Sequence, residues 1–209
     1  MATVSFGDVK VPRWEPARGD SAMSLAAFVG LPVLAGFAVS FLGQKELVTW
    51  YPKLRKPSWQ PPAWLFGPVW TTLYILMGTA AWMVWTHGGF EAQKLPLTLY
   101  GIQLLLNLAW NPLFFVFHNL DLAFWDALGL VGTLGLTIWS FHKVEPLAAT
   151  LLLPYLAWAI FATYLTSTLI NLNPQESMAG TALEKEIDMR PMGGIGAVKQ
   201  ERVVVKKEE

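Results

Sequence analysis

The sequence predicts an all-α integral membrane protein, a bundle of five transmembrane helices with an ordered Pro/Trp-rich first loop. Three observations predict it. Of the 209 residues, 54% are hydrophobic and only 14% are charged, where a soluble domain carries about 25% charged residues. The charges collect at the ends of the chain and in short breaks between long uncharged windows. Between the first two windows, tryptophans and prolines crowd into one short stretch.

The windows without Asp, Glu, Lys or Arg run from Ser21 to Gln44, Pro57 to Phe90, Leu95 to Leu120, Ala127 to His142 and Pro146 to Gln175. A bilayer core takes about 20 apolar residues in a helix, and four of the windows hold that number. The fourth window is shorter and begins beside Asp126, which fits a tilted span. The first apolar run starts only after Asp20 and is too long for the apolar region of a secretory signal, so it is expected to be the first membrane helix. Residues 1–22 mix Pro, Gly and charge without periodicity and are expected to form a flexible arm. Residues 23–172 are expected to be the membrane domain. Residues 173–209 carry six Lys or Arg and seven Asp or Glu, too polar to bury a core. They are expected to be a disordered cytosolic tail, with a short helix around 181–189 as an option.

Composition also excludes function classes. Lys plus Arg and Asp plus Glu are equal at 15 each, so no basic excess attracts a nucleic-acid backbone. With no cysteine there is no disulfide framework, thiolate nucleophile or Cys-ligated metal. The first loop and tail together carry ten basic residues, among them Lys45, Lys53, Arg55 and Lys56, against five on the opposite face of a five-span topology. The positive-inside rule therefore places the C-terminus in the cytosol.

Polar residues inside the spans fall at helical spacing. Gln103, Asn107, Asn111 and His118 form one stripe on the third span, and Asp126, Thr133, Thr137 and Ser140 another on the fourth. Amides facing lipid lack partners, so these stripes should face the bundle. Small residues four apart, Gly36 with Ser40 and Ala159 with Thr163 and Ser167, are expected to bring helix backbones close. Pro112 removes a donor within the third helix, frees the carbonyl of Leu108 and should bend the helix. Asp126 is expected near the start of the fourth helix as an end charge. His87, His118 and His142 lie near expected helix ends and are read as interfacial polar groups rather than haem ligands.

Eleven tryptophans exceed what interfacial anchoring requires. The densest stretch reads Trp50-Tyr51, then Leu54-Arg55-Lys56-Pro57-Ser58-Trp59-Gln60-Pro61-Pro62-Ala63-Trp64, then Gly67-Pro68-Val69-Trp70. Its prolines forbid a regular helix up to Pro62, so an aromatic lid should join the first two helices, with helix resuming at Ala63. A second block runs from Gln103 to Phe115 through Trp110-Asn111-Pro112, and a third from Pro154 to Thr163 through Trp158. In content and order these three blocks resemble the translocator protein family, known also as the peripheral-type benzodiazepine receptor or tryptophan-rich sensory protein family (TspO/MBR).

That resemblance implies a five-helix bundle with a pocket under the first loop that binds flat hydrophobic molecules. The implied ligands are tetrapyrroles such as protoporphyrin or haem, and sterols, with no cofactor required. The implied pocket residues are Trp50, Trp64, Phe66 and Trp70, then Tyr100, Gln103, Asn107, Trp110 and Asn111, then Trp158 and Ala162. Animal members carry a Tyr and then an Arg in a proposed sterol motif late in the fifth helix. Here Leu165 to Asn171 has neither at those places, which ranks tetrapyrroles ahead of sterols. Trp110-Asn111-Pro112 in the third helix and the long tail also differ from animal members and point to a plant, algal or microbial relative. The implied partners also include membrane lipids and a second copy of the chain. The implied location is the mitochondrial outer membrane or an endomembrane of a eukaryote.

Receptor or transporter is the leading function under this resemblance. The runner-up is light-dependent porphyrin degradation, for which Trp50 and Trp158 match the electron-donating positions proposed in microbial relatives, although no metal cluster or nucleophile–base pair accompanies them. The third reading is a lipid-binding scaffold that transports nothing.

Overall fold

The computed structural model describes residues 3–6, 9–12 and 22–176. Thr3–Phe6 (β1) and Val9–Pro12 (β2) pair as an antiparallel hairpin, with Thr3 opposite Pro12. From Ala22 onward the regular structure among the described residues is all helical, with helices α1 (Ala22–Thr49), α2 (Ala63–Trp85), α3 (Gly89–Ala92), α4 (Lys94–Asn111), α5 (Leu120–His142), α6 (Pro146–Leu151) and α7 (Leu153–Leu172). The expected tail helix at 181–189 lies outside the described residues.

Four spans are long and apolar enough to cross a bilayer: Ala22–Thr49, Lys94–Val116, Leu120–His142 and Pro146–Leu172. The remaining long helix, α2, has 23 residues without a charge. Its Trp, Tyr, Thr and Gly lower its hydropathy, and Tyr74, Met77, Gly78, Ala80 and Ala81 turn inward rather than to lipid. The five spans make an integral membrane bundle. On α1, Leu31, Leu34, Phe41 and Val48 are exposed, an outward apolar face that hydrocarbon solvates.

Helix α1 spans 28 residues, roughly 42 Å at 1.5 Å per residue, so it outreaches a bilayer core of about 30 Å. Lys45 therefore stands on its last turns and not in the loop, as the sequence reading had it. Two glycines let α1 and α2 meet. A Cβ on Gly78 would lie 2.4 Å from the Phe28 carbonyl oxygen, and one on Gly36 would lie 2.3 Å from the Tyr74 ring. Gly36 was expected at a close approach; Gly78 was not.

Three helices differ in detail from the sequence reading. At Pro112 the third span winds wider over Pro112–Val116, where the Phe117 N–H donates to the Pro112 carbonyl five residues back at 2.9 Å. The missing proline donor is thus absorbed by a π turn. The fourth helix begins at Leu120, so Asp126 sits more than one turn inside it and is not an end charge. Asn119 caps that helix, its side chain accepting from the Leu122 N–H at 2.9 Å, and Asp121 occupies the first turn. The fifth span breaks at Leu152 between α6 and α7, where Pro154 can donate no hydrogen bond.

The helices close a ring in which α1 neighbours α2 and α4, α5 lies against α4, α6 and α7, and α2 returns to α6. One end of the ring is solid, packed with Met77, Val84, Tyr100, Leu134, Phe141 and Tyr155. A smaller cluster of Leu54, Phe114, Leu120, Leu165 and Leu169 packs at the end where the first loop lies. Of the stripe expected on α5, Thr137 and Ser140 are buried and donate to carbonyls of their own helix, whereas Asp126 and Thr133 are half-buried.

Candidate functional site

The first loop is fixed from several sides. After Trp50 the chain makes a 3-10 turn over Tyr51–Lys53. The Lys56 ammonium turns back to donate to the carbonyls of Tyr51 and, at 3.0 Å, Leu54, and lies 4.6 Å from the centre of the Tyr51 ring. Burial pushes the Lys56 ammonium below its usual pKa and the Tyr51 phenol above its own. Further on, Trp59 stacks on Tyr164 of α7 at 5.3 Å. The loop therefore reaches from the end of α1 across to the last helix.

Beneath it lies a cavity of about 480 Å³ bounded by α1, α2, α4, the π turn, α5 and α7. Aromatic rings make much of the wall. Trp64, Phe66 and Trp70 come from α2, and Trp110 from α4, stacked on Phe114 at 4.7 Å. The spacing of 66, 70 and 74 puts three rings on one face of α2. Asn107 and Asn111 reach the wall one turn apart on α4, and Ala162 on α7 leaves room opposite.

Asn107 also ties the bundle together. Tyr74 donates its hydroxyl to Asn107 Oδ1 at 2.6 Å, and Asn107 Nδ2 donates to the Tyr155 hydroxyl at 2.8 Å. One amide thereby joins α2, α4 and α7 at the floor of the cavity, with Tyr155 fully buried behind it. Two other polar atoms on the wall stand differently. Trp110 Nε1 and Asn111 Oδ1 are buried and have no hydrogen-bond partner among the described residues. One is a donor and the other an acceptor.

Of the eleven residues expected in the pocket, Trp64, Phe66, Trp70, Asn107, Trp110, Asn111 and Ala162 line this cavity. The other four are placed off its wall. Trp50 stacks on His118 at 4.2 Å and meets the edge of Phe114, one ring behind the surface. Trp158 stands behind Phe66, ring centres 5.6 Å apart. Tyr100 packs on Phe141 within the solid end, and Gln103 is fully buried between helices. The sequence reading missed the contribution of α1, from which Gly36, Phe37, Ser40, Gly43 and Gln44 line the cavity. The small-residue spacing of Gly36 and Ser40 was the available signal, read only as helix packing. His118 pairs with Glu46 at 3.2 Å and His87 lies 3.8 Å from Glu145, polar contacts at helix ends as expected. Among the described residues no cluster of His, Asp or Glu is arranged to hold a metal.

Residues 28–172 match the model of the TspO/MBR family. The chain belongs to that family. Relatives in the TspO/MBR family include the human translocator protein, 45% identical over 157 residues that cover 74% of this chain and 88% of the human one. The tryptophan-rich protein TspO of Chlorobaculum tepidum is 41% identical over 73% of this chain and 97% of its own length. The tryptophan-rich sensory protein of Cereibacter sphaeroides is 36% identical over 59% of this chain and 77% of its own. The TspO/MBR match ends at Leu172, where α7 ends.

Proposed function

We propose that this protein is a membrane receptor or transporter whose cavity takes a flat, mainly apolar molecule with a polar edge, with tetrapyrroles ahead of sterols. The observation that carries the reading is the unpartnered donor and acceptor pair, Trp110 Nε1 and Asn111 Oδ1, of two residues that line a mainly apolar, aromatic-rich wall. A buried polar atom without a partner is costly. A ligand that presents both an acceptor and a donor at its edge, such as a carboxyl group in its protonated form, satisfies both atoms while its apolar plane lies against Trp64, Phe66 and Trp70. The volume and lining suit such a ligand, since small-molecule sites are mostly apolar clefts of about 300–1,000 Å³ with a few polar groups. The names of the relatives, translocator and sensory protein, favour binding and movement over chemistry.

The test is a titration of the purified protein with protoporphyrin and with a sterol, followed by tryptophan quenching, and then flux of the bound compound across proteoliposomes. Saturable quenching by protoporphyrin with protein-dependent flux is expected. Quenching without flux leaves a receptor or scaffold; consumption of the porphyrin only under light makes the protein an enzyme. Absence of saturable binding by either compound overturns the reading.

A further inference from the structure

A second groove lies on the outer surface, farther along α5 than the cavity. It has a volume of about 350 Å³ and runs along the last two turns of α5 against α6 and the start of α7. Ile138, Ala149 and Leu153 make its sides, and Gly135 its floor, where a Cβ would meet nothing within 4 Å. It opens outward to where lipid chains lie. Trp139 and His142 form its other end, at the last residues of α5, which is the level of the membrane's polar border. The Lys143 ammonium sits 3.4 Å from the centre of the Trp139 ring. That contact holds a cation against a ring that lines the groove instead of letting it extend into water.

The nearest acid on the same turn is engaged elsewhere. Glu145 accepts from the Leu147 N–H at 3.1 Å through Oε1 and faces His87 of the α2 end through Oε2. Lys143 and His142 are exposed, and neither takes part in an ion pair among the described residues. The groove thus offers a dry trough with a positive charge and an imidazole at its polar end. Charge complementarity selects one occupant, a phospholipid with an anionic headgroup.

We infer that this groove is a binding site for one anionic phospholipid, an acyl chain lying along Gly135 and Ile138 and the headgroup phosphate on Lys143 beside His142. The site is independent of the cavity and of any ligand there. A lysine at a membrane border strengthens attachment of an anionic headgroup by about fivefold. The experiment is native mass spectrometry of the purified full-length protein, titrated with phosphatidylglycerol and with phosphatidylcholine of the same chains. The wild type should retain phosphatidylglycerol about fivefold more strongly. Lys143→Gln should bring the two lipids to parity, and Lys143→Arg should keep the preference. Gly135→Leu should reduce retention of both lipids, and the open space at that glycine lets the helix accept the change. Thermal unfolding of each variant checks that the bundle is intact. Equal retention of the two lipids by the wild type, a preference that survives Lys143→Gln, or unchanged retention in folded Gly135→Leu would each overturn the assignment.

Discussion

Asn173 clasps the backbone of Arg55. Its Oδ1 accepts from the Arg55 N–H at 2.8 Å and its Nδ2 donates to the Arg55 carbonyl at 2.9 Å, across 118 residues of sequence. The same Nδ2 donates to the Leu169 carbonyl at 2.8 Å, so the end of α7 and the first loop share one buried side chain. The loop over the cavity is therefore anchored by a residue that the sequence reading assigned to the tail.

Replacing Asn173 with Ala should loosen that loop. Three neutral hydrogen bonds are lost, two to the loop and one to α7, each worth about 0.5–1.5 kcal/mol net, so a loss of about 1.5–4.5 kcal/mol is expected. Limited proteolysis should then cut near Arg55 in the variant well before it cuts the wild type. Truncation after Glu176 keeps the clasp and should leave the wild-type pattern, whereas truncation before Asn173 should reproduce the Ala variant. Equal cleavage rates in all of these chains would show that the clasp does not hold the loop.

The Tyr74–Asn107–Tyr155 chain gives a second expectation. Tyr155→Phe takes away the acceptor of Asn107 Nδ2, and Tyr74→Phe takes away the donor to Oδ1. Interhelical hydrogen bonds in membranes average about 0.6 kcal/mol, so each single change should cost close to that in thermal stability. The two share the Asn107 amide, and the double variant should therefore depart from additivity. Strict additivity would mean that the amide does not couple the three helices.

Close packing of α1 on α2 predicts a contrast between glycines. Gly78→Ala forces the new methyl against the Phe28 backbone, where no flexible side chain can give way. Overpacking of this kind costs about 1–3 kcal/mol, and a fall in folded yield and melting temperature is expected. Gly30→Ala on the same pair of helices meets nothing within 4 Å and should be neutral or slightly stabilising. Similar behaviour of the two variants would refute the packing account.

The contrast between Gly36 and Asn173 shows what could be read from the chain. Long uncharged windows reveal spans because hydrocarbon excludes charge whatever the tertiary arrangement. The inward face of α4 was legible because its amides repeat at helical spacing, which is a local property. Trp50 and Trp158 were grouped with the pocket by motif, but whether a ring forms the wall or backs it depends on the angle between helices, and spacing does not carry that angle. Gly36 was legible as a small residue and not as a cavity liner for the same reason. The start of α5 was misplaced because charge marked the edge of the window, whereas the Asn119 cap and the buried Leu120 and Ala123 set the edge of the helix. Asn173 was invisible because its partner is a backbone 118 residues away.

The last expectation separates wall from backing. Gly67 lines the cavity and a Cβ there meets nothing within 4 Å, so Gly67→Leu projects into the ligand space without disturbing the helix. Protoporphyrin affinity should fall by about tenfold, the scale of overpacking by a side chain of that size, while thermal stability holds. Trp158→Phe acts at one remove: it changes the ring that supports Phe66 and should weaken binding by less than Gly67→Leu. Trp139→Phe, farther along α5 than the cavity, should leave porphyrin affinity unchanged. All three are measured in one detergent with melting curves alongside. If Gly67→Leu binds protoporphyrin as the wild type does, the ligand lies outside this cavity. If affinity falls equally in all three, or follows the melting temperature alone, the tryptophans support the bundle and not recognition.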